Sequence, residues 1–122
     1  MMIPWVDRER EQAMATAAKY LYGRKVRPGR IVRVRAAIAW DEISTVATAI
    51  IIGVEDRGEH HRVASWAGNT TIYVTRGTVR DFWLLEGQRL YAYFQDATDG
   101  DILYLESYGF EDDMGEQMYW PG

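Results

Sequence analysis

From Arg30 onward, apolar and polar positions alternate with a period of two. Val32, Val34, Ala36, Ile38 and Trp40 fall on one face of a strand, and Arg33 and Arg35 on the other. Residues 41–44 read as a turn. Residues 46–55 predict a second strand, β-branched and apolar enough to sit inside a sheet. Asp56-Arg57-Gly58-Glu59 makes a tight hairpin into a third strand over 60–66. Gly68-Asn69 breaks the pattern and 70–75 resumes it. Two last strands, 89–94 and 102–110, are joined through Asp99-Gly100.

Two segments carry a helical period instead. Over 7–22, Asp7 can cap, Met14, Ala17, Ala18 and Leu21 recur at helical spacing, and Gly23 is placed to stop the helix. Over 79–86, Thr78 can cap and Asp81 stands at the position of a capping-box acid. Phe82, Trp83 and Leu85 would anchor that helix, and Gly87 would end it. Trp40, Trp66 and Trp83 lie in or beside strongly apolar segments and are expected in the core.

The elements together predict a mainly β, α+β protein. They describe a small, strongly curved antiparallel sheet or barrel, with an N-terminal helix and a short helix before the last hairpin. Three strands, a helix and two strands is similar in order to the OB-fold, a five-stranded Greek-key barrel. The resemblance rests on element order, and the extra strand and the N-terminal helix depart from it. A cone-shaped α+β sheet that holds a small ligand, or a hydrolase built on one, is the remaining fold-level alternative.

Length sets the frame: 122 residues predict one domain with a real core. It would comprise the helix at 7–22, a β-rich body at 30–110 and an acidic tail at 111–122. The absence of Cys excludes disulfides, thiolate metal sites and a Cys nucleophile, and fits a reducing compartment. No basic segment followed by an apolar run opens the chain, and no stretch approaches the roughly 20 apolar residues that span a bilayer. The expectation is a cytoplasmic protein without membrane contact.

Charge changes this picture most. All fourteen Lys and Arg precede Gln95, while eight of the eighteen Asp and Glu follow it. A basic body thus carries an acidic end, which suits a partner with a basic surface, an intramolecular clamp or a shield over a basic site. Arg24, Lys25, Arg27, Arg30, Arg33 and Arg35 crowd into twelve residues, and Arg27, Arg30, Arg33 and Arg35 form the candidate basic patch. If Leu90 and Leu103 both face the core, Tyr91, Tyr93, Tyr104 and Tyr108 share one outer face. Such a face could stack bases, dock a protein, or simply pair across strands.

Asp112, Asp113 and Glu116, followed by Tyr119 and Trp120, form the candidate protein interface. Acids ending in an aromatic tip resemble in outline the partner-recruiting tails of bacterial single-stranded-DNA-binding proteins. Those tails are long and end on a hydrophobic residue, whereas this chain ends Pro-Gly.

No catalytic, cofactor or metal motif is assembled. Adjacent His60 and His61 point to opposite faces of a strand, and Asp96, Asp99 and Asp101 miss the spacing of an EF-hand. Ser44, Ser65 and Ser107 lack a nucleophile-elbow context. The sequence therefore points to a non-enzymatic interaction domain (adaptor, inhibitor or assembly subunit) that binds a protein partner or itself. Its alternative is a single-stranded nucleic-acid binder with Arg33, Arg35 and Arg89 on phosphates and the acidic tail as competitor.

Overall fold

The computed structural model describes residues 1–42, 49–66, 76–77 and 82–115. Among them run nine strands: β1 Ile3–Gln12, β2 Ala17–Tyr22, β3 Arg30–Asp41, β4 Ile50–Asp56, β5 Glu59–Trp66, β6 Arg76–Gly77, β7 Phe82–Leu84, β8 Arg89–Ala97 and β9 Ile102–Asp113. They form two antiparallel sheets that enclose one hydrophobic core and do not close into a barrel.

The first sheet has the order β1-β9-β3, and β6 and β7 share the free side of β3 at different heights. The second has the order β2-β8-β4-β5. The chain crosses between sheets at nearly every connection, which is the winding of a jelly roll, two Greek keys rolled together. Trp5, Val32, Val34, Leu84, Leu103 and Leu105 enter the core from the first sheet. Leu21, Ile50, Ile52, Leu90, Ala92 and Phe94 enter it from the second.

The expected N-terminal helix is replaced by two strands in different sheets. Residues 7–13 hold good helix formers, yet β1 pairs with β9 over its whole length, from Ile3↔Glu111 to Gln12↔Ile102. That ladder and the burial of Trp5, only 2% exposed, outweigh local propensity. The expected short helix is also absent where it can be seen. Phe82, Trp83 and Leu84 pair with Val34, Arg33 and Val32, and Leu84 alone of the three is fully buried. The strand expected at 70–75 and the start of the one at 46–55 lie outside the described residues.

Two further expectations change. A β-bulge between Val34 and Ala36 shifts the register of β3 against β9. Val32 and Val34 face the core before the bulge, and Ala37 and Ala39 after it, so Ile38 and Trp40 turn outward. Asp99-Gly100 makes a tight turn, with Gly100 at φ 92°. The turn is an arch between sheets and not a hairpin, because β8 pairs with β2 and β4 while β9 pairs with β1 and β3. The β4–β5 hairpin stands as expected, with Arg57 and Gly58 both at positive φ (51° and 88°).

Candidate functional site

The outward positions of the first sheet build one continuous surface. Along β9, Leu103, Leu105 and Ser107 point inward, so Tyr104, Glu106, Tyr108 and Phe110 point out. On one side β1 contributes Pro4, Val6, Arg8 and Arg10; on the other, β3 contributes Arg33, Arg35, Ile38 and Trp40, and β7 adds Trp83. The register sets these side chains in rows: Pro4–Phe110–Arg33–Trp83, then Val6–Tyr108–Ala36, Arg8–Glu106–Ile38 and Arg10–Tyr104–Trp40. A central ridge of rings is thus flanked by arginines from both neighbouring strands.

Much of this surface is organised by its own contacts. The Trp40 and Tyr104 rings stack at 4.5 Å with 9° between planes, and the Arg10 guanidinium lies 5.9 Å from the Tyr104 centroid on the β1 side. Tyr104 donates its hydroxyl proton to Glu42 at 2.5 Å, which raises the phenol pKa above its ordinary value, burial and the Glu42 charge adding to the effect. The Arg8 guanidinium sits 5.8 Å from the Tyr108 centroid and donates weakly to its oxygen at 3.4 Å. Tyr108 donates in turn to Glu106 at 2.5 Å. Arg8 is held protonated still more firmly than usual, by the Tyr108 hydrogen bond first and by the Tyr108 and Glu106 charges next. Arg33 lies over Trp83 at 5.9 Å.

The upper rows are less covered. Val6, Trp83 and Phe110 are 47%, 43% and 39% exposed. Pro4, Val6, Arg35, Tyr108 and Phe110 surround a shallow depression of about 480 Å³, floored by Trp5 and Gly109. Beneath it the Trp5 indole donates to Ser107 Oγ at 3.0 Å, and the Arg24 guanidinium covers its ring at 4.2 Å.

The residues singled out in the sequence are divided among several places. Arg33 and Arg35 lie on this face, but Arg27 and Arg30 do not join them. Arg27 grips Glu111 with contacts of 2.6 and 3.3 Å, and Arg30 meets Asp113 at 2.6 Å. Asp112 is buried and Asp113 half-buried at the end of β9, where they pair with Ile31 and Arg30 of β3. The basic segment and the start of the acidic end are therefore clamped together within one chain. Glu116, Tyr119 and Trp120 lie outside the described residues.

The four tyrosines do not form one face. Tyr104 and Tyr108 belong to the first sheet. Tyr91 and Tyr93 lie on the outside of the second, in a ring cluster with Tyr20, Tyr22 and His60 whose centroids are 4.7–5.9 Å apart. Arg89 is engaged there too, bonded to Glu55 at 3.0 Å and lying 4.1 Å over the Tyr22 ring.

Sequence reasoning missed Arg8, Arg10, Val6, Trp40 and Trp83 as surface groups. The alternation Pro4, Val6, Arg8, Arg10 was the available signal, hidden by a helix-favouring composition. At the seam between the sheets, inward-facing Asp7 accepts the Arg24 backbone N–H at 2.7 Å, and Glu9 hydrogen-bonds to Asp7. Among the described residues no cluster of three or more His, Cys, Asp or Glu is arranged to hold a metal ion. No helix among them is long and apolar enough to cross a membrane.

No protein-family model and no curated protein matches the chain. One solved structure, described as "CBM4 structure and function", aligns over 87% of this chain and 78% of its own. Its identity is 12% and its TM-score 0.33, a likeness too slight to carry an argument.

Proposed function

We propose that this protein is a non-enzymatic interaction module that docks an acidic protein surface on the outer face of the first sheet. The observation that carries this reading is the ridge of Tyr104, Tyr108 and Phe110 flanked by Arg8 and Arg10 on one side and Arg33 and Arg35 on the other. Rigid aromatics give contact area at low entropic cost, and arginine is the cation enriched in interface cores. Among the described residues the face carries four arginines against Glu42 and Glu106, a balance that favours an anionic counterpart although the whole chain is net −4.

The same ridge and arginines favour a second reading, a single-stranded nucleic acid lying along β9. Base stacking needs open ring faces, however. Tyr104 has Trp40 against one side and Arg10 on the other, and Tyr108 and Trp83 each hold an arginine nearby. Those contacts would have to be displaced before a base could stack, whereas a protein surface can dock on the preformed edges and guanidinium groups.

The test compares wild type with an Arg10→Glu, Arg33→Glu double variant. Both are run in sedimentation velocity, with and without a labelled oligothymidylate of about 20 nucleotides, and in affinity capture. Self-association or capture of an acidic protein by wild type alone, with no oligonucleotide shift, supports protein docking. Salt-sensitive co-sedimentation with the oligonucleotide that the variant loses assigns the face to nucleic acid instead.

A further inference from the structure

The arch that carries the chain from β8 to β9 holds its single Asp-Gly pair, Asp99-Gly100. Aspartate before glycine is chemically vulnerable for a steric reason. With no Cβ on the following residue, that residue's backbone nitrogen can approach the aspartyl carboxyl closely. The neighbouring Asp96-Ala97 pair lacks this opening, because Ala97 adds a methyl group and is fully buried.

Asp99 is exposed, and Gly100 has φ 92°, the positive value that a type II turn requires at this position. The Asp101 N–H closes the turn by donating to the Thr98 carbonyl at 2.9 Å. Further bonds tie the turn to the bend that links β1 and β2. The Gly100 N–H donates to the Ala13 carbonyl at 2.8 Å, and the Ala13 N–H donates to the Asp101 carbonyl at 2.8 Å. The Asp99 N–H donates to Thr16 Oγ1 at 3.0 Å. Ala13 is buried and Thr16 exposed, so the bend holds the arch from a covered side and from a wet one. The Gly100 nitrogen is thus engaged, and turning it toward the Asp99 carboxyl breaks its bond to Ala13.

We propose that Asp99 is a site of spontaneous backbone modification, conversion to a β-aspartyl linkage, and that the bend at 13–16 governs its rate. The Gly100 nitrogen gives up its proton and bonds to Cγ of Asp99, and the carboxyl hydroxyl leaves with that proton as water. A second water then opens the succinimide ring. Attack at the side-chain carbonyl restores aspartate. Attack at the main-chain carbonyl leaves the backbone running through the side chain, longer by a methylene. While the bend is closed the ring does not form, and each local opening of 13–16 releases the nitrogen. The longer linkage then persists at the passage between the sheets, where β9 begins to pair with β1 at Ile102↔Gln12.

The experiment incubates folded wild type, wild type unfolded in denaturant, Thr16→Ala and Thr16→Ser at neutral pH and body temperature. β-Aspartyl content at residue 99 is read by chromatography and mass spectrometry of the digested chain, and deuterium exchange of the Gly100 amide is followed in parallel. Unfolded wild type is expected to convert at least about tenfold faster than the folded chain, where conversion waits on opening. Thr16→Ala should convert about fivefold faster than wild type, as the loss of one hydrogen bond to the arch implies, and its Gly100 amide should exchange faster by the same factor. Thr16→Ser keeps the hydroxyl and should match wild type.

Absence of β-aspartyl product at residue 99 in the unfolded chain overturns the site. Equal rates in folded and unfolded wild type overturn control by the fold. Control by the bend fails if Thr16→Ala exchanges Gly100 faster yet converts no faster, or if Thr16→Ser converts as fast as Thr16→Ala. A lowered melting temperature in Thr16→Ala leaves the test intact, because exchange and conversion at Gly100 must still rise together.

Discussion

Glu9 shows how one side chain is set by the layer beneath it. Its carboxyl faces inward at the seam between β1 and β2 and is pushed up to about 7, first by its hydrogen bond to Asp7. Burial and the Asp7 charge add to this, while Arg24 opposes it. Glu11 and Lys19 also pair across β1 and β2, bonded at 2.8 Å. Because the folded pKa lies above the ordinary value of 4.5, the folded chain keeps a proton that the unfolded chain has already released. The resulting stability is full below the unfolded pKa and is lost as pH rises through about 7. Melting temperatures taken across that window should fall for wild type, and Glu9→Gln should flatten the fall. Identical slopes for the two proteins would exclude this carboxyl as the source.

At the scale of elements, β1 and the β4–β5 hairpin show opposite relations between local sequence and structure. The second half of β1 is rich in helix formers, yet the strand is held extended by its ten-residue partner on β9. The hairpin is locally determined in type but carries a local cost, since Arg57 occupies a left-handed conformation that a branched or long side chain adopts unwillingly. Its ion pair with Asp56, at 3.3 Å on the surface, returns little of that cost. Arg57→Asn, which suits both central positions of such a turn, should stabilise the protein by about 1 kcal/mol. Urea denaturation reads this directly: the midpoint should rise with an unchanged slope, and a lower midpoint would mean that the arginine has contacts worth more than its strain.

For the whole molecule, the decisive pairings are the most distant ones. β1 meets β9 across about a hundred residues, so the first sheet is complete only once these two distant strands have found each other. Folding dominated by such contacts should take milliseconds to seconds, measurable by stopped-flow fluorescence of the tryptophans. Deleting 111–122 removes the end of β9 that pairs with β1 and β3 and holds Arg27 and Arg30, so cooperative unfolding should disappear. Deleting only 116–122 leaves all nine strands complete and should preserve it. A cooperative melt from the shorter chain would mean that the Glu111 and Asp113 clamps are dispensable.

The alternation from Arg30, the turn residues at Arg57-Gly58 and Asp99-Gly100, and the opposed charges of the two ends were readable without a structure. Each is a local pattern, and local patterns determine which residues prefer extension, which prefer a turn and which seek an opposite charge. Tertiary structure alone decided that residues 7–22 become strands, because partner strands supply hydrogen bonds and a place for Trp5 that an isolated helix lacks. It also decided the faces. One bulge at 34–36 turned Trp40 from core to surface, and one arch at Asp99-Gly100 sent Tyr91 and Tyr93 to a different sheet from Tyr104 and Tyr108. A side chain's face depends on register summed along the whole ladder, and a single inserted residue inverts it. The charge split left open whether the acids meet a partner or the chain's own arginines. Only the pairing of β3 with β9 determined that Arg27 and Arg30 meet them within the chain, while Arg33 and Arg35 join the outer face of the first sheet.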